Sequence, residues 1–154
     1  MTAKVPFVAK LLTILLCLLF AGGVVLLLTI PFLMDYYTRI FLDMYAADPG
    51  YQVYIIIFLL AVGSMGLWII GELIAMMRTI PVDPFVVRNV RAFRRIGIVA
   101  AATAGVFFVK TVQYFTILTF VCGLFLIVCS LFAFTLGIVF RQAVVYKAEN
   151  DLTI

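Results

Sequence analysis

Histidine is absent from this sequence, and that absence removes more chemistry than any residue present supplies. Without an imidazole, a Ser–His–Asp or Cys–His arrangement is impossible. A catalytic zinc or iron site is equally unsupported, because no cluster of cysteines and carboxylates replaces the missing ligands. No GxxxxGK[ST] or GxGxxG motif follows a strand, so nucleotide binding of those kinds has no basis either. The expectation is a protein that is not an enzyme, with no cofactor and no metal. Cys17, Cys122 and Cys129 all sit in apolar runs, where thiols behave as small hydrophobes. Cys122 and Cys129 lie two helical turns apart, about 10 Å, which is too far for an intrahelical disulfide. Asp35, Asp43 and Asp48 lack the spacing of a calcium loop.

Charge is also scarce. Only 12% of the 154 residues are charged and 67% are hydrophobic, which places the chain in lipid. The net charge of +4 therefore reports topology and contact with anionic headgroups in preference to nucleic acid.

What is present is a series of long apolar runs. They predict an all-α membrane protein of four transmembrane helices, with spans at about 11–34, 51–77, 96–109 and 114–140, in one membrane domain covering 1–154. The first run follows Lys4 and Lys10, but it is too long for a signal-peptide core and reads as a retained span. Gly22-Gly23 inside it marks a close helix contact. Tyr36, Tyr37, Ile40, Phe41, Met44 and Tyr45 suggest a short amphipathic helix on the membrane surface, which Asp48-Pro49-Gly50 stops. In the second span Gly63, Gly66 and Gly71 thin the surface for a neighbour. The third and fourth spans, joined by Lys110 to Gln113, should form an antiparallel hairpin with small-residue faces at Gly97, Ala101 and Gly105 and at Cys129, Ala133 and Gly137, and with Gly105 close to Gly123.

The one long polar interruption, 78–95, holds five of the eleven Lys/Arg residues. Asp83-Pro84 there reads as a helix start, with Asp83 capping free N–H groups and Pro84 at the first helical position. On a helical wheel Val86, Val90, Phe93 and Gly97 fall on one side and Arg88, Arg91 and Arg95 on the other, with Arg94 at the boundary. The helix of the fourth span is expected to continue into the cytoplasm over 141–151, ending at Asn150-Asp151. Glu72, about a turn and a half from the end of its span, needs a partner in lipid; Arg78, Arg95 and Arg141 are available, and a Glu72–Arg141 intramembrane pair is the expectation. Lys4, Lys10, Arg78, Arg88, Arg91, Arg94, Arg95, Arg141 and Lys147 lie on one side of the spans, against Arg39 and Lys110 on the other. Both termini are therefore expected in the cytoplasm.

The segment Asp83-Pro84-Phe85, Asn89 and Arg95-Ile96-Gly97, together with the closing Phe140-Arg141-Gln142-Ala143-Val144 and Glu149-Asn150-Asp151-Leu152-Thr153-Ile154, resembles a widespread family of small bacterial four-helix membrane proteins of unknown function. Aspartate stands where Asn is common before Pro-Phe, a change that preserves capping. Members are often encoded beside a small Cro/C1-type helix-turn-helix regulator without a sensing domain of its own. The resemblance implies a plasma-membrane partner that recruits or sequesters such a regulator in response to a membrane or external signal. Its contacts would come from Asp83, Pro84, Phe85, Arg88, Asn89, Arg91 and Arg95, with Glu149, Asn150, Asp151 and Leu152 from the tail. A small transporter or export-immunity protein working as a homo-oligomer, with Glu72 and Arg141 lining a path, is the rival expectation. A membrane-stress or assembly factor without ligand is the third.

Overall fold

The computed structural model describes residues 7–41, 49–80 and 83–151. These form four helices: α1 (Phe7–Phe41), α2 (Pro49–Met77), α3 (Val87–Gln113) and α4 (Ile117–Asp151). All four are long and apolar enough to cross a membrane, as the hydropathy pattern requires, and the chain is a multi-pass membrane protein. α1 and α4 have 35 residues each. At 1.5 Å per residue each is about 52 Å long, so both project well beyond a hydrocarbon core of about 30 Å.

Three boundaries differ from the sequence expectation. α1 runs unbroken through Pro31 and on to Phe41, so residues 35–41 continue the first span as one helix. In lipid the backbone has no water to turn to, and an internal proline is accommodated within the helix. Met44 and Tyr45 of the expected surface helix lie outside the described residues. Pro49-Gly50 opens α2, consistent with proline's preference for a helix's first turn. Lys110 to Gln113 belong to the last turn of α3, and the connection to α4 is shorter, with the Tyr114 N–H donating to the Lys110 carbonyl.

Each helix packs only on its neighbours in the chain. The α3–α4 seam is by far the most extensive, α1–α2 follows, and α2–α3 is the thinnest. The α1–α2 pair is antiparallel and reciprocal. A methyl group at Gly23 would lie 2.8 Å from Leu67 Cδ2, and one at Gly63 would lie 2.7 Å from Leu27 Cδ1, so each leucine fills the notch left by the other helix's glycine. Between helices in lipid the apolar surroundings supply no hydrophobic drive, and close packing of this kind is what holds the pair. Gly66 and Gly22 have nothing nearby and take no part.

Small buried residues include Gly97, Ala100 and Ala104 on α3 and Gly123, Ser130, Ala133 and Gly137 on α4. Gly97 packs against the Phe134 ring, and the Ser130 hydroxyl donates to the Gly97 carbonyl at 2.7 Å. Gly123 meets Phe107 and Phe108, not Gly105. Ala101 and Gly105 are exposed. The small-residue face of α3 is thus rotated from the four-residue spacing of 97, 101 and 105 to 97, 100 and 104. In a run as rich in alanine as 100–104, either face could serve, and the fit to Phe134 and Ser130 decides between them.

α2 meets α3 through an edge-to-face pair of Phe58 and Phe107, centroids 5.2 Å apart, and through the Thr103 hydroxyl 3.3 Å from Met65 Sδ. At the end where α3 finishes, Tyr51 and Tyr54 gather around Tyr114 with centroids 4.7 and 5.2 Å away. Lys110 is buried there, donating from Nζ to the hydroxyls of Thr116 at 3.1 Å and Thr119 at 2.9 Å. A tyrosine group at one end of the spans fits the aromatic belt of a membrane interface. The opposite end carries Arg88, Arg91, Arg94, Arg95 and Arg141.

Candidate functional site

The polar chemistry concentrates where α2 turns into α3. At the end of α2 the N–H groups of Thr79 and Ile80 both donate to the Met76 carbonyl, and the Asp83 N–H donates to the Thr79 carbonyl. Asn89, two residues into α3, is fully buried and closes this turn. Its Nδ2 donates to the Pro84 carbonyl at 2.9 Å. Its Oδ1 lies 2.8 Å from the Thr79 hydroxyl, whose single proton serves either this oxygen or the Met76 carbonyl, also 2.8 Å away. One amide therefore joins the two ends of the loop. A buried amide with both ends satisfied holds one geometry, because any other arrangement leaves a polar group unpaired.

This burial corrects the assignment of Asn89 to a partner-contact surface. Asn89 positions the loop and has no face to offer a partner. The sequence carried a hint, since 89 lies three residues before Ala92 and eight before Gly97, on the face that turns inward. Asp83 also acts differently from the expectation. α3 starts at Val87, with Val86 at its N-cap and no side-chain cap. Asp83 Oδ1 instead accepts from the Phe85 N–H at 3.0 Å, capping the turn that Pro84 stiffens.

The loop is fastened to α4 on its other side. Asp83 Oδ2 forms an ion pair with Lys147 Nζ. Phe140 packs between Phe93 and Phe85, with centroids 5.0 and 5.8 Å away. Neither Lys147 nor Phe140 could be assigned from spacing, because both sit more than forty residues from their partners. The hydrogen bonds from Lys147 and from the Phe85 N–H hold the Asp83 carboxyl below the ordinary carboxylate range. A depressed acid contributes its stabilisation above the unfolded-state pKa, near 3.9, and loses it as pH falls through the lower folded value. The tie between loop and α4 is expected to be constant from pH 5 to 8 and to release only in acid. Distance measurements between spin labels at Arg88 and Tyr146 check this: widening should occur only below about pH 4 and should be absent from Asp83→Asn, which starts wide.

Arg88, Arg91, Arg94 and Arg95 stand exposed along α3, and Arg141 stands exposed on α4. Glu72 is paired with Arg95, Nη1 to Oε1 3.3 Å, and the expected Glu72–Arg141 pair does not form. The reason is topological: α2 touches α3 and not α4, so a residue of α2 meets only the arginines that α3 presents to it. Arg141 faces a groove between α3 and α4 that encloses about 400 Å³, with Arg91 and Arg94 on its rim and Val90, Phe134, Gly137 and Ile138 beneath. A second depression of about 650 Å³ lies among Arg88, Arg91, Arg94, Arg95 and Ile98. Arg94, at the boundary of the helical wheel, lines both.

At the tail, Glu149 shares a shallow crevice with Arg141, and Asn150 is exposed. Asp151 ends α4, and Leu152 lies outside the described residues. Pro84 is half-buried and Phe85 is 42% exposed, so of the described residues in the loop Phe85 presents the largest free apolar surface.

Residues 47–154 match the family model described as a protein of unknown function, DUF2975. No curated protein and no solved structure matches the chain.

Proposed function

We propose that this chain, which belongs to the DUF2975 family of proteins of unknown function, is a membrane-embedded platform that recruits or sequesters a small helix-turn-helix transcriptional regulator. Both termini face the cytoplasm in this reading, because the arginine-bearing end carries most of the basic residues. The observation that carries it is the fixed geometry of the loop around Asn89, held to α4 by Asp83 and Lys147 with Phe85 partly exposed beside Phe140. An anchor along the headgroups needs only charge and amphipathicity. A loop joined at both ends through a fully buried amide exceeds that need and gives a partner a surface of constant shape, with an aromatic at its centre and Arg88, Arg91 and Arg95 around it. Aromatic and arginine side chains are the residues that dominate protein interfaces. A change in the bundle caused by membrane state or an external ligand would then alter the platform, and the regulator's DNA binding with it.

A photoreactive phenylalanine analogue at position 85, in cells that co-express a small helix-turn-helix regulator, is expected to capture that regulator. The same analogue at Tyr36, exposed near the opposite end, is expected not to. Capture of lipid or of a second copy alone at position 85 would overturn the proposal.

A further inference from the structure

The groove between α3 and α4 at the arginine-bearing end combines two features that the platform reading leaves aside, sharing with it only Arg91. Arg91, Arg94 and Arg141 converge on it, none has an ion-pair partner among the described residues, and no acidic side chain lines it. Beneath them the surface turns apolar at once, with Phe134 and Ile138. Beyond the groove an exposed face of α3 runs on into the span. Steps of three and four residues along α3 place Arg91, Arg94, Ile98, Ala101 and Gly105 on one face. Ile98, Ala101 and Gly105 are all exposed, and a methyl group at Gly105 would meet nothing within 4 Å. From Arg94 to Gly105 this face runs about 16 Å into the apolar span, and the small side chains at 101 and 105 leave a shallow trough in the helix surface.

We propose that this groove is a site for one anionic phospholipid of the surrounding leaflet. The three guanidinium groups hold the phosphate, and one acyl chain lies in the trough over Ala101 and Gly105. Arginine suits the role because its planar fork gives paired hydrogen bonds to phosphate oxygens, and basic pockets between spans at the interface are places where anionic headgroups settle. The apolar continuation selects a lipid over a free anion, which would gain nothing from it. A second copy of the chain fits less well. It would bring arginines against arginines, while Glu72 and Asp83 at this end are already held by Arg95 and Lys147 and Glu149 is likewise not free.

Native mass spectrometry of the full chain, solubilised with an equal mixture of phosphatidylglycerol and phosphatidylcholine, tests the site. One phosphatidylglycerol per chain should be retained in preference to phosphatidylcholine. The combined variant Arg91→Gln, Arg94→Gln, Arg141→Gln should lower its retention on the order of 100-fold, whereas Arg88→Gln, which removes charge outside the groove, should change it little. Gly105→Leu fills the trough at an exposed position where folding is not at stake, and it should weaken retention of a long-chain phosphatidylglycerol while sparing a water-soluble short-chain one. Retention that Gly105→Leu leaves untouched, or that Arg88→Gln reduces as much as the combined variant does, would overturn the proposal. So would displacement of the lipid by inorganic phosphate alone, or its replacement by a second copy of the chain.

Discussion

Asn89→Ala is expected to destabilise the protein by about 2–3 kcal/mol and to abolish specific crosslinking from position 85, because it removes the one group that joins both ends of the α2–α3 loop. The Pro84 carbonyl would lose its donor. The Thr79 hydroxyl would fall back on the Met76 carbonyl, so it is not the main source of the loss. The side chain is fully buried, and its removal also leaves a void. Asn89→Asp makes a sharper test. It keeps the shape, keeps the acceptor for Thr79, and sets a second oxygen against the Pro84 carbonyl where a donor stood. A buried carboxylate so placed must be protonated or displaced, and we expect a loss at least as large as for alanine. Chemical or detergent unfolding followed by helicity gives the first quantity, and trypsin cleavage after Arg78 and Arg88 reports the loop. If either variant leaves the loop as resistant as the wild type, Asn89 does not organise it.

Gly97→Leu should have the second large effect. A methyl group at Gly97 would already stand 3.0 to 3.1 Å from three atoms of the Phe134 ring, so even Gly97→Ala requires the ring to move by a few tenths of an ångström. Phe134 borders the groove and has room to give. The helix-propensity gain of alanine over glycine, about 1 kcal/mol, then roughly offsets the contact. Leucine has no such escape. It must push α4 away, stretch the Ser130 hydrogen bond to the Gly97 carbonyl and loosen Phe93 from Gly137, for a loss of about 2–3 kcal/mol. The same comparison in detergent unfolding should therefore give a near-neutral alanine and a strongly destabilised leucine. Equal losses for both would mean that Phe134 is immobile and that the seam is tighter than its open groove indicates.

The spans were legible because length and hydropathy alone place a helix in lipid, and the α3–α4 hairpin followed from the short connection. Boundaries were less so. Asp83-Pro84 carries the same local chemistry whether it caps a helix or a turn, and only the hydrogen bond to Phe85 distinguishes them. The partner of Glu72 was out of reach for a different reason. Arg95 and Arg141 lie at similar heights in the sequence pattern, and the choice depends on which helix borders α2. The alanines of α3 offered two small faces of equal quality, so the face that packs had to be decided by α4. In the candidate site, the resemblance pointed to Asn89 without its role: a polar residue assigned to a surface proved to be the most deeply buried side chain in the described structure.

The arrangement in which every helix touches only its chain neighbours also bears on how the molecule comes to be assembled. Contacts between successive helices close short loops, and loop-closure entropy grows with the length of chain enclosed. No helix has to await a distant partner. α1 can dock as soon as α2 emerges during synthesis, and the α2–α3 seam then joins two hairpins that have each formed on their own. That thin seam is held at one end by the Glu72–Arg95 pair.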